Sequence, residues 1–259
     1  MILKQGDCLE LMGEIEDKSI DMIFCDLPYG TTACKWDTVI PFEPLWTEYN
    51  RIIKNNGAIV LFADGARFSA NLMFSNIDNY RHKWVWNKNN SCGFALAKIR
   101  PFQICEDVLV FGNQKVNYYP IMETRGKPRD KSGYTTSDNY GVIPSKSKVK
   151  NNVYYPKNLL EYSNASQKGK VHPTQKPVAL LEYLIQTYSM EGELILDNCM
   201  GSGSTGVSCV NTSRNFYGIE LDENYFKIAE NRIQEAICLK NDIPMIKSQI
   251  LDASLNESA

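Results

Sequence analysis

A carboxylate, a proline and an aromatic ring follow an apolar run near the start of the chain. The run Asp21–Asp26 reads DMIFCD and continues into Leu27, Pro28 and Tyr29. The exocyclic amine of a nucleobase is a poor nucleophile, and acceptors for both of its hydrogens favour attack by its nitrogen. Asp26 and the carbonyl of Leu27 could supply these acceptors, and Tyr29 could stack on the base. Pro28 would keep the turn rigid. The same residues are also typical of a β-turn that merely ends a strand.

A strand, a glycine-rich turn and a helix start form a second pattern, in residues 194–206 (LILDNCMGSGSTG). Gly201 and Gly203 would let the backbone approach a ligand closely. No lysine follows as in a P-loop, and Asp197 before the turn would repel a pyrophosphate. Glu220 ends the next predicted strand, where a carboxylate can accept hydrogen bonds from ribose hydroxyls. S-adenosylmethionine, a ribose-bearing cation, fits this pattern, but so does an ordinary strand–turn–helix connection.

Apolar runs alternate with helical patterns, which predicts an α/β fold with a doubly wound, mostly parallel sheet. The continuous apolar character predicts strands that are covered on both faces. The predicted strands are Asp21–Asp26, Ala58–Ala63, Lys83–Trp86, Asp107–Phe111, Leu194–Asp197 and Phe216–Glu220. Apolar stripes predict helices over Glu43–Asn55 and Pro177–Met190, and a last helix capped by Asp222. Ligands bind at the carboxyl ends of strands in such sheets, where both motifs would lie.

Residues 115–170 interrupt this alternation. They contain 11 Lys and Arg against 4 Asp and Glu, and seven of the 14 tyrosines, in a chain of net charge −2. Such a segment suits phosphate contacts and base stacking, although a solvated loop region would have the same composition. We expect no regular elements in it. We predict core segments 1–114 and 171–240 around this insert, and a tail of 241–259.

The composition argues against several classes of protein. Eight cysteines occur without a C-x-x-C pair and with only two histidines, so we expect reduced thiols and no metal site. No apolar run approaches the ~20 residues that span a bilayer. The first ten residues lack the pattern of a signal peptide. We therefore expect a cytoplasmic protein that does not interact with membranes.

Together, the two motifs resemble those of the β-class S-adenosylmethionine-dependent DNA amino-methyltransferases, over about residues 1–115 and 170–235. In that family a catalytic half with Asp-Pro-Pro-Tyr precedes the glycine-rich cofactor half, and a target recognition domain lies between them. This chain has the same order, and its residues 172–177 (HPTQKP) look like the family's cofactor-proximal segment. Residues 86–88 and 106–112 also look like later family segments. Leu27 replaces the usual proline, but its backbone carbonyl still supplies the expected contact.

The resemblance implies a Rossmann-like methyltransferase fold in permuted order, and methyl transfer from S-adenosylmethionine to adenine N6 in flipped-out bases of duplex DNA. An acid at position 26 favours adenine, because cytosine-N4 enzymes of this kind usually have serine there. The implied catalytic residues are Asp26, Leu27, Pro28 and Tyr29. The implied cofactor-binding residues are Asp7, Cys8, Lys176, Asp197, Gly201, Gly203, Thr205 and Glu220, with Asp7 at the adenine and Glu220 at the ribose. The predicted DNA-binding residues are Lys35, Lys146, Lys148 and Lys150.

Double-stranded DNA is the expected partner, and the resemblance also suggests a homodimer and leaves a cognate restriction endonuclease open. Cytosine-N4 methylation is an alternative reaction. A protein or RNA methyltransferase would usually place the glycine motif first and lack the basic insert. A DNA-binding module without catalysis is disfavoured by the intact Asp26, Tyr29 and Glu220. A nucleotide-binding oxidoreductase is disfavoured by Asp197.

Overall fold

The structure, a computed structural model, describes residues 1–30, 37–92, 97–130, 135–137, 139, 141–143, 150–164 and 175–241. The chain divides into two compact units. One unit contains Met1–Tyr118 and the chain from Asn158 onward, and the other is Tyr119–Lys157. The first unit contains both motifs.

The first unit is built on a sheet that is mostly parallel. In chain order, the strands of the described residues are β1 (Ile2–Gln5), β2 (Ile20–Cys25), β3 (Ile53–Ala63), β4 (Tyr80–Cys92), β5 (Gln103–Phe111), β6 (Glu123–Asp130), β7 (Thr135–Ser137), β8 (Gly141–Ile143), β9 (Lys150–Tyr154), β10 (Leu159–Glu161), β11 (Leu194–Asp197) and β12 (Asn215–Glu220). Eight of them form one sheet in the order β1-β12-β11-β2-β3-β5-β4-β10. Within this sheet, β5 runs antiparallel to both β3 and β4, and the other described neighbours pair in parallel. The predicted α/β, mostly parallel sheet is confirmed.

Helices cover both faces of this sheet. The α-helices of the described residues are α1 (Cys8–Met12), α2 (Phe42–Ile52), α3 (Ala66–Phe74), α4 (Val178–Tyr188), α5 (Ser204–Asn211) and α6 (Glu223–Lys240), and a 3-10 helix covers Ile77–Asn79. Ile23 and Cys25 of β2 pack with side chains of α1–α3, whereas Met22 and Phe24 pack with those of α4–α6. Successive strand residues point to opposite faces, so a strand covered twice is apolar throughout, as the sequence predicted. None of the described helices is long and apolar enough to cross a membrane.

The predicted helix Glu43–Asn55 ends early, at Ile52. Ile53 is extended, with φ −71° and ψ 135°, and pairs with Ile20 of β2. Strand pairing therefore overrides the helical periodicity of the last three predicted residues, and β3 begins well before Ala58. The cap predicted at Asp222 is confirmed, because its carboxylate accepts hydrogen bonds from the backbone of α6.

The predicted insert contains regular structure that we did not expect. In the second unit, β6 pairs antiparallel with β9, and β7 pairs antiparallel with β8. β6 and β9 consist mainly of polar residues and have no apolar period, so hydrophobic periodicity does not reveal them. Leu159 of β10 pairs with Val85 in the main sheet, so the insert's last part belongs to the first unit. The expectation of no regular elements in 115–170 is wrong.

Two glycines with positive φ differ in how closely other residues pack against them. Gly203 has φ +77°, and a Cβ there would lie 2.9 Å from the Cα of Ala229 in α6. Gly192 has φ +81°, but a Cβ there would meet nothing within 4 Å. We expect Gly203→Ala to lower the free energy of unfolding by about 2–4 kcal/mol, and Gly192→Ala by only about 1–2 kcal/mol. Urea denaturation followed by circular dichroism measures both, and equal losses would contradict the role assigned to close packing.

Candidate active site

Asp26 and the glycine-rich turn lie at the same edge of the sheet. β2 and β11 are parallel neighbours, with Met22 opposite Ile195. Asp26 follows the last residue of β2, and Asp197 is the last residue of β11. Because the carboxyl ends of parallel strands share one edge, two motifs that are far apart in sequence become adjacent.

A compact network of polar groups surrounds the Asp26 carboxylate. Lys176 Nζ lies 2.7 Å from Asp26 Oδ2 and 3.0 Å from Glu106 Oε1. The Tyr29 hydroxyl donates to Asp26 Oδ1 and also lies 3.0 Å from Glu106 Oε1. On the far side of Glu106, Lys88 Nζ lies 3.5 Å from Oε2. The side chain of Glu106 is 4% exposed and that of Asp26 is 29% exposed, so Asp26 is the carboxylate that a ligand can reach.

Three aromatic rings lie close to the Lys176 ammonium, which is paired with Asp26. Its Nζ lies 5.0 Å from the ring centroid of Phe62, 5.7 Å from that of Tyr29 and 6.0 Å from that of Trp86. Ring faces attract a cation, and this attraction is stronger where the cation has lost its water. The rings therefore favour a buried ammonium at this position.

Opposing effects set the protonation of this network. Burial raises the pKa of Asp26; the Lys176 ammonium opposes the rise and Glu106 adds to it, so the pKa lies above its ordinary value. Desolvation lowers the pKa of Lys176, but the charges of Asp26 and Glu106 outweigh it, and the pKa is raised. Burial also raises the pKa of the Tyr29 hydroxyl, which remains a hydrogen-bond donor at neutral pH. Lys176 is consequently a cation held between two carboxyl groups.

Asp197 is tied into the turn that follows it. Its carboxylate accepts hydrogen bonds from Thr205 Oγ1 at 2.6 Å and from the backbone N–H of Cys199 at 3.1 Å. Burial raises the pKa of Asp197 to about 7, although these two hydrogen bonds lower it. A nearby cation would therefore favour the ionised form of this side chain.

Glu220 lies beside an open part of the same turn. Its carboxylate accepts hydrogen bonds from the backbone N–H groups of Gly201, at 2.8 Å, and Asp222, at 2.9 Å. Gly201 has φ +52°, and a Cβ there would meet nothing within 4 Å. Open backbone next to a carboxylate can receive a ligand that donates hydroxyl hydrogens. Together with the acid at 197, these acceptor groups fit the ribose hydroxyls and the amino group of S-adenosylmethionine.

The remaining predicted cofactor residues lie in two places. Asp7 is exposed and caps α1, accepting from the backbone N–H of Leu9 at 2.8 Å. Gly6 donates its backbone N–H to the Glu220 carbonyl at 2.9 Å, which brings Asp7 and the buried Cys8 to the β12 side of the site. Lys176, by contrast, pairs with Asp26 and Glu106.

The predicted DNA-binding residues fall mostly outside the described chain. This applies to Lys35, Lys146 and Lys148. Lys150 is described; it is exposed and begins β9 of the second unit.

The sequence did not single out Glu106 and Lys88 as site residues. Both are buried charges within or beside apolar strand segments, and buried charges are expensive unless they are paired. Their position in those strands was the available signal. The described residues include no group of three or more potential metal-ligating side chains.

The raised pKa of Asp197 predicts a specific pH dependence of stability. The folded state holds this proton more tightly than the unfolded state, so the contribution to stability is present at low pH and is lost as pH rises through about 7. Asp197→Asn avoids burying the charge, and we expect it to be more stable than the wild type by about 1–3 kcal/mol at about pH 8. The difference should shrink at about pH 5. Urea unfolding measures it, and a difference that grows at the lower pH would contradict this assignment.

Comparison with known proteins shows similarity to DNA methylases over most of the chain. The family model N6_N4_Mtase, described as DNA methylase, matches residues 20–231. The chain is 26% identical over 270 residues to the Type II methyltransferase M2.MboI of Moraxella bovis, covering 95% of this chain and 93% of the relative. It is 27% identical over 268 residues to the Type II methyltransferase M2.DpnII of Streptococcus pneumoniae, covering 90% of each.

Solved structures share the fold. The M1.HpyAVI–SAM complex has a TM-score of 0.62 at 24% identity, covering 90% of this chain and 98% of that one. The cytosine-N4-specific PvuII DNA methyltransferase has a TM-score of 0.64 at 18% identity, covering 93% and 91%. The family model spans well over half of the sequence. The two motifs of this chain, at Asp26 and at the glycine-rich turn, lie at one edge of the sheet. The chain therefore belongs to the DNA methylase family.

Proposed function

We propose that this DNA methyltransferase acts on adenine N6 in duplex DNA, with the target base flipped out of the helix. The proposal rests mainly on one observation: Asp26 and the glycine turn lie at the ends of the neighbouring strands β2 and β11. An acceptor for an amine and a cofactor turn then share one edge, as methyl transfer to an amine requires.

The catalytic turn supplies acceptors and a stacking surface. S-adenosylmethionine, when bound, would supply a methyl group on its sulfonium sulfur, and that sulfur would leave as a neutral thioether when the carbon–sulfur bond breaks. Asp26 accepts one hydrogen of the exocyclic amine and the Leu27 carbonyl accepts the other, which makes the nitrogen more nucleophilic. Tyr29 stacks on the base, and Pro28 fixes the turn. The Tyr29 hydroxyl occupies Asp26 Oδ1 in this structure, so the amine replaces that hydrogen bond when the base enters.

The glycine turn and the β12 side of the site would hold the cofactor. Asp197 suits the amino group of its methionine part and Glu220 suits its ribose. Gly201, Gly203 and Thr205 line the methionine end in this proposal. Asp7 and Cys8 lie toward the adenine.

The second unit is the proposed target recognition segment, within the insert that we predict over 115–170. Its composition is basic and rich in tyrosine, and Arg125 lies 5.7 Å over the ring of Tyr154. Lys35, which follows the catalytic turn, and Lys146, Lys148 and Lys150 would contact phosphates. A homodimer and a cognate restriction endonuclease are further partners suggested by the family resemblance.

Cytosine N4 is the alternative target, because the PvuII enzyme of the same fold is specific for it. Sequencing that detects modified bases, on DNA from cells expressing the protein, would give the base and its context. Mass spectrometry of the digested DNA then separates the two products. We expect N6-methyladenine, and N4-methylcytosine alone would overturn the choice of base.

Asp26→Asn tests the catalytic acceptor. It keeps the shape of the side chain but removes its charge, so we expect methylation to fall about 100- to 1,000-fold. Affinity for S-adenosylmethionine, measured by calorimetry, should stay within about threefold. Asp21→Asn is a matched control near the opposite end of β2, where Asp21 pairs with Lys54, and should retain activity. Wild-type rates in Asp26→Asn would contradict the assignment.

The lysines of the insert can be tested through the salt dependence of DNA binding. Replacing Lys146, Lys148 and Lys150 by glutamine should reduce the slope of log K against log salt by about 2–3, since each phosphate contact contributes about 0.9. A triple variant of Lys4, Lys54 and Lys227, ion-paired lysines of the first unit, is the charge-matched control. An identical slope in the insert variant and the wild type would show that these lysines are solvated surface.

A further inference from the structure

The Lys176 ammonium lies between two carboxyl groups, and only one of them belongs to the catalytic turn. Asp26 Oδ2 is 2.7 Å away and Glu106 Oε1 is 3.0 Å away. Glu106 comes from β5, the antiparallel strand, and its side chain is almost completely buried. A buried carboxylate that no substrate can reach calls for a role other than direct chemistry.

We propose that Lys176 and Glu106 form a positioning pair: Glu106 holds the Lys176 ammonium beside Asp26, and that ammonium favours the ionised form of Asp26 and leaves its Oδ1 atom to receive the target amine. The proposal rests on the proposed function, in which Asp26 accepts a hydrogen from that amine. It also gives Lys176 a role toward Asp26, in place of the cofactor contact that the family resemblance implied.

The geometry explains why the carboxylates need this cation. The Tyr29 hydroxyl has a single hydrogen, yet it lies within hydrogen-bonding distance of both Asp26 and Glu106. Two carboxyl groups that share one hydroxyl are too close for both to stay charged without a cation, and one of them would take up a proton. A protonated Asp26 could no longer stabilise positive charge on the amine nitrogen.

The same contacts fix the direction of Asp26. Lys176 holds Oδ2, whereas the Tyr29 hydroxyl donates its hydrogen bond to Oδ1. When the Tyr29 ring stacks on a base and its hydroxyl leaves, Oδ1 becomes free while Oδ2 stays anchored. Oδ1 is then the acceptor presented to the amine.

Other ionisable groups near Asp26 extend this arrangement. Beyond Glu106, Lys88 Nζ lies 3.5 Å from Glu106 Oε2 and 3.5 Å from Asp64 Oδ2. Charges thus alternate from Asp26 through Lys176, Glu106 and Lys88 to Asp64. On the other side, the β2–β11 edge contributes Cys25 and Asp197, whose pKa values are raised mainly by burial and further by the charge of Asp26.

Lys176→Met tests the pair through the pH profile of methylation. Single-turnover rates should fall about 10- to 100-fold near neutral pH, because Asp26 becomes harder to ionise. The acidic limb of the profile should move up by about one pH unit or more, since an adjacent opposite charge lowers a carboxyl pKa by about 1–3. Lys176→Arg should restore most of the rate. Affinity for S-adenosylmethionine should stay within about threefold.

Two further variants separate this role from general damage to the site. Glu106→Gln removes the like charge, so the acidic limb should move down. In that background, Lys176→Met should move the limb up by less than it does alone. Lys88→Met removes a cation that contacts Glu106 and Asp64, and it should move the limb less than Lys176→Met does.

Each contrary result has a distinct meaning. An unmoved acidic limb in Lys176→Met, with cofactor affinity lowered tenfold or more, would overturn the inference in favour of cofactor binding. If that variant does not fold, as judged by circular dichroism, Glu106→Gln decides, and an unmoved limb there overturns the inference. Failure of the wild type to methylate DNA would instead remove the proposed function itself.

Discussion

The parallel pairing of β2 with β11 is the constraint on which the rest of the site depends. It brings Asp26 and Asp197 to the same edge of the sheet, although more than half of the chain separates them in sequence. The pairing is stable because both strands are apolar and are covered by helices on both faces. The acceptor for an amine and the turn for a cofactor are therefore positioned by the hydrophobic core, and no flexible segment has to bring them together.

Burial in this core also disfavours the ionised forms of the site's carboxyl groups. Burial raises the pKa values of Asp26, Asp197 and Glu220 alike, but the groups that contact these carboxylates differ. Asp26 is paired with an ammonium, whereas Asp197 and Glu220 accept hydrogen bonds from a hydroxyl or backbone groups. The ammonium offsets part of the rise in the pKa of Asp26. Asp197 is poised to ionise when a cation arrives, which suits a binding role.

The sequence predicts the elements that rest on local patterns and misses those that rest on pairing. Leu194–Asp197 is a strand with the predicted bounds, and Asp222 caps α6, because apolar runs and cap chemistry are local signals. The paired strands β6 and β9 escape detection, since their polar sequences have no apolar period. Glu106 was visible only as part of a family-like segment. Its contact with Lys176 depends on β5 lying beside β3. The sequence of one strand does not indicate which distant strand it pairs with.

The central claim is that an amine bound at Asp26 faces a cofactor bound at the glycine turn. A crystal structure with S-adenosylhomocysteine and a DNA duplex that contains the unmethylated target site would test it most directly. We expect a flipped base whose exocyclic nitrogen lies about 3 Å from Asp26 Oδ1. The same nitrogen should face the cofactor sulfur, with the position of the transferred methyl group between them. A target base that remains stacked in the helix, or a cofactor bound away from Gly201 and Glu220, would contradict it.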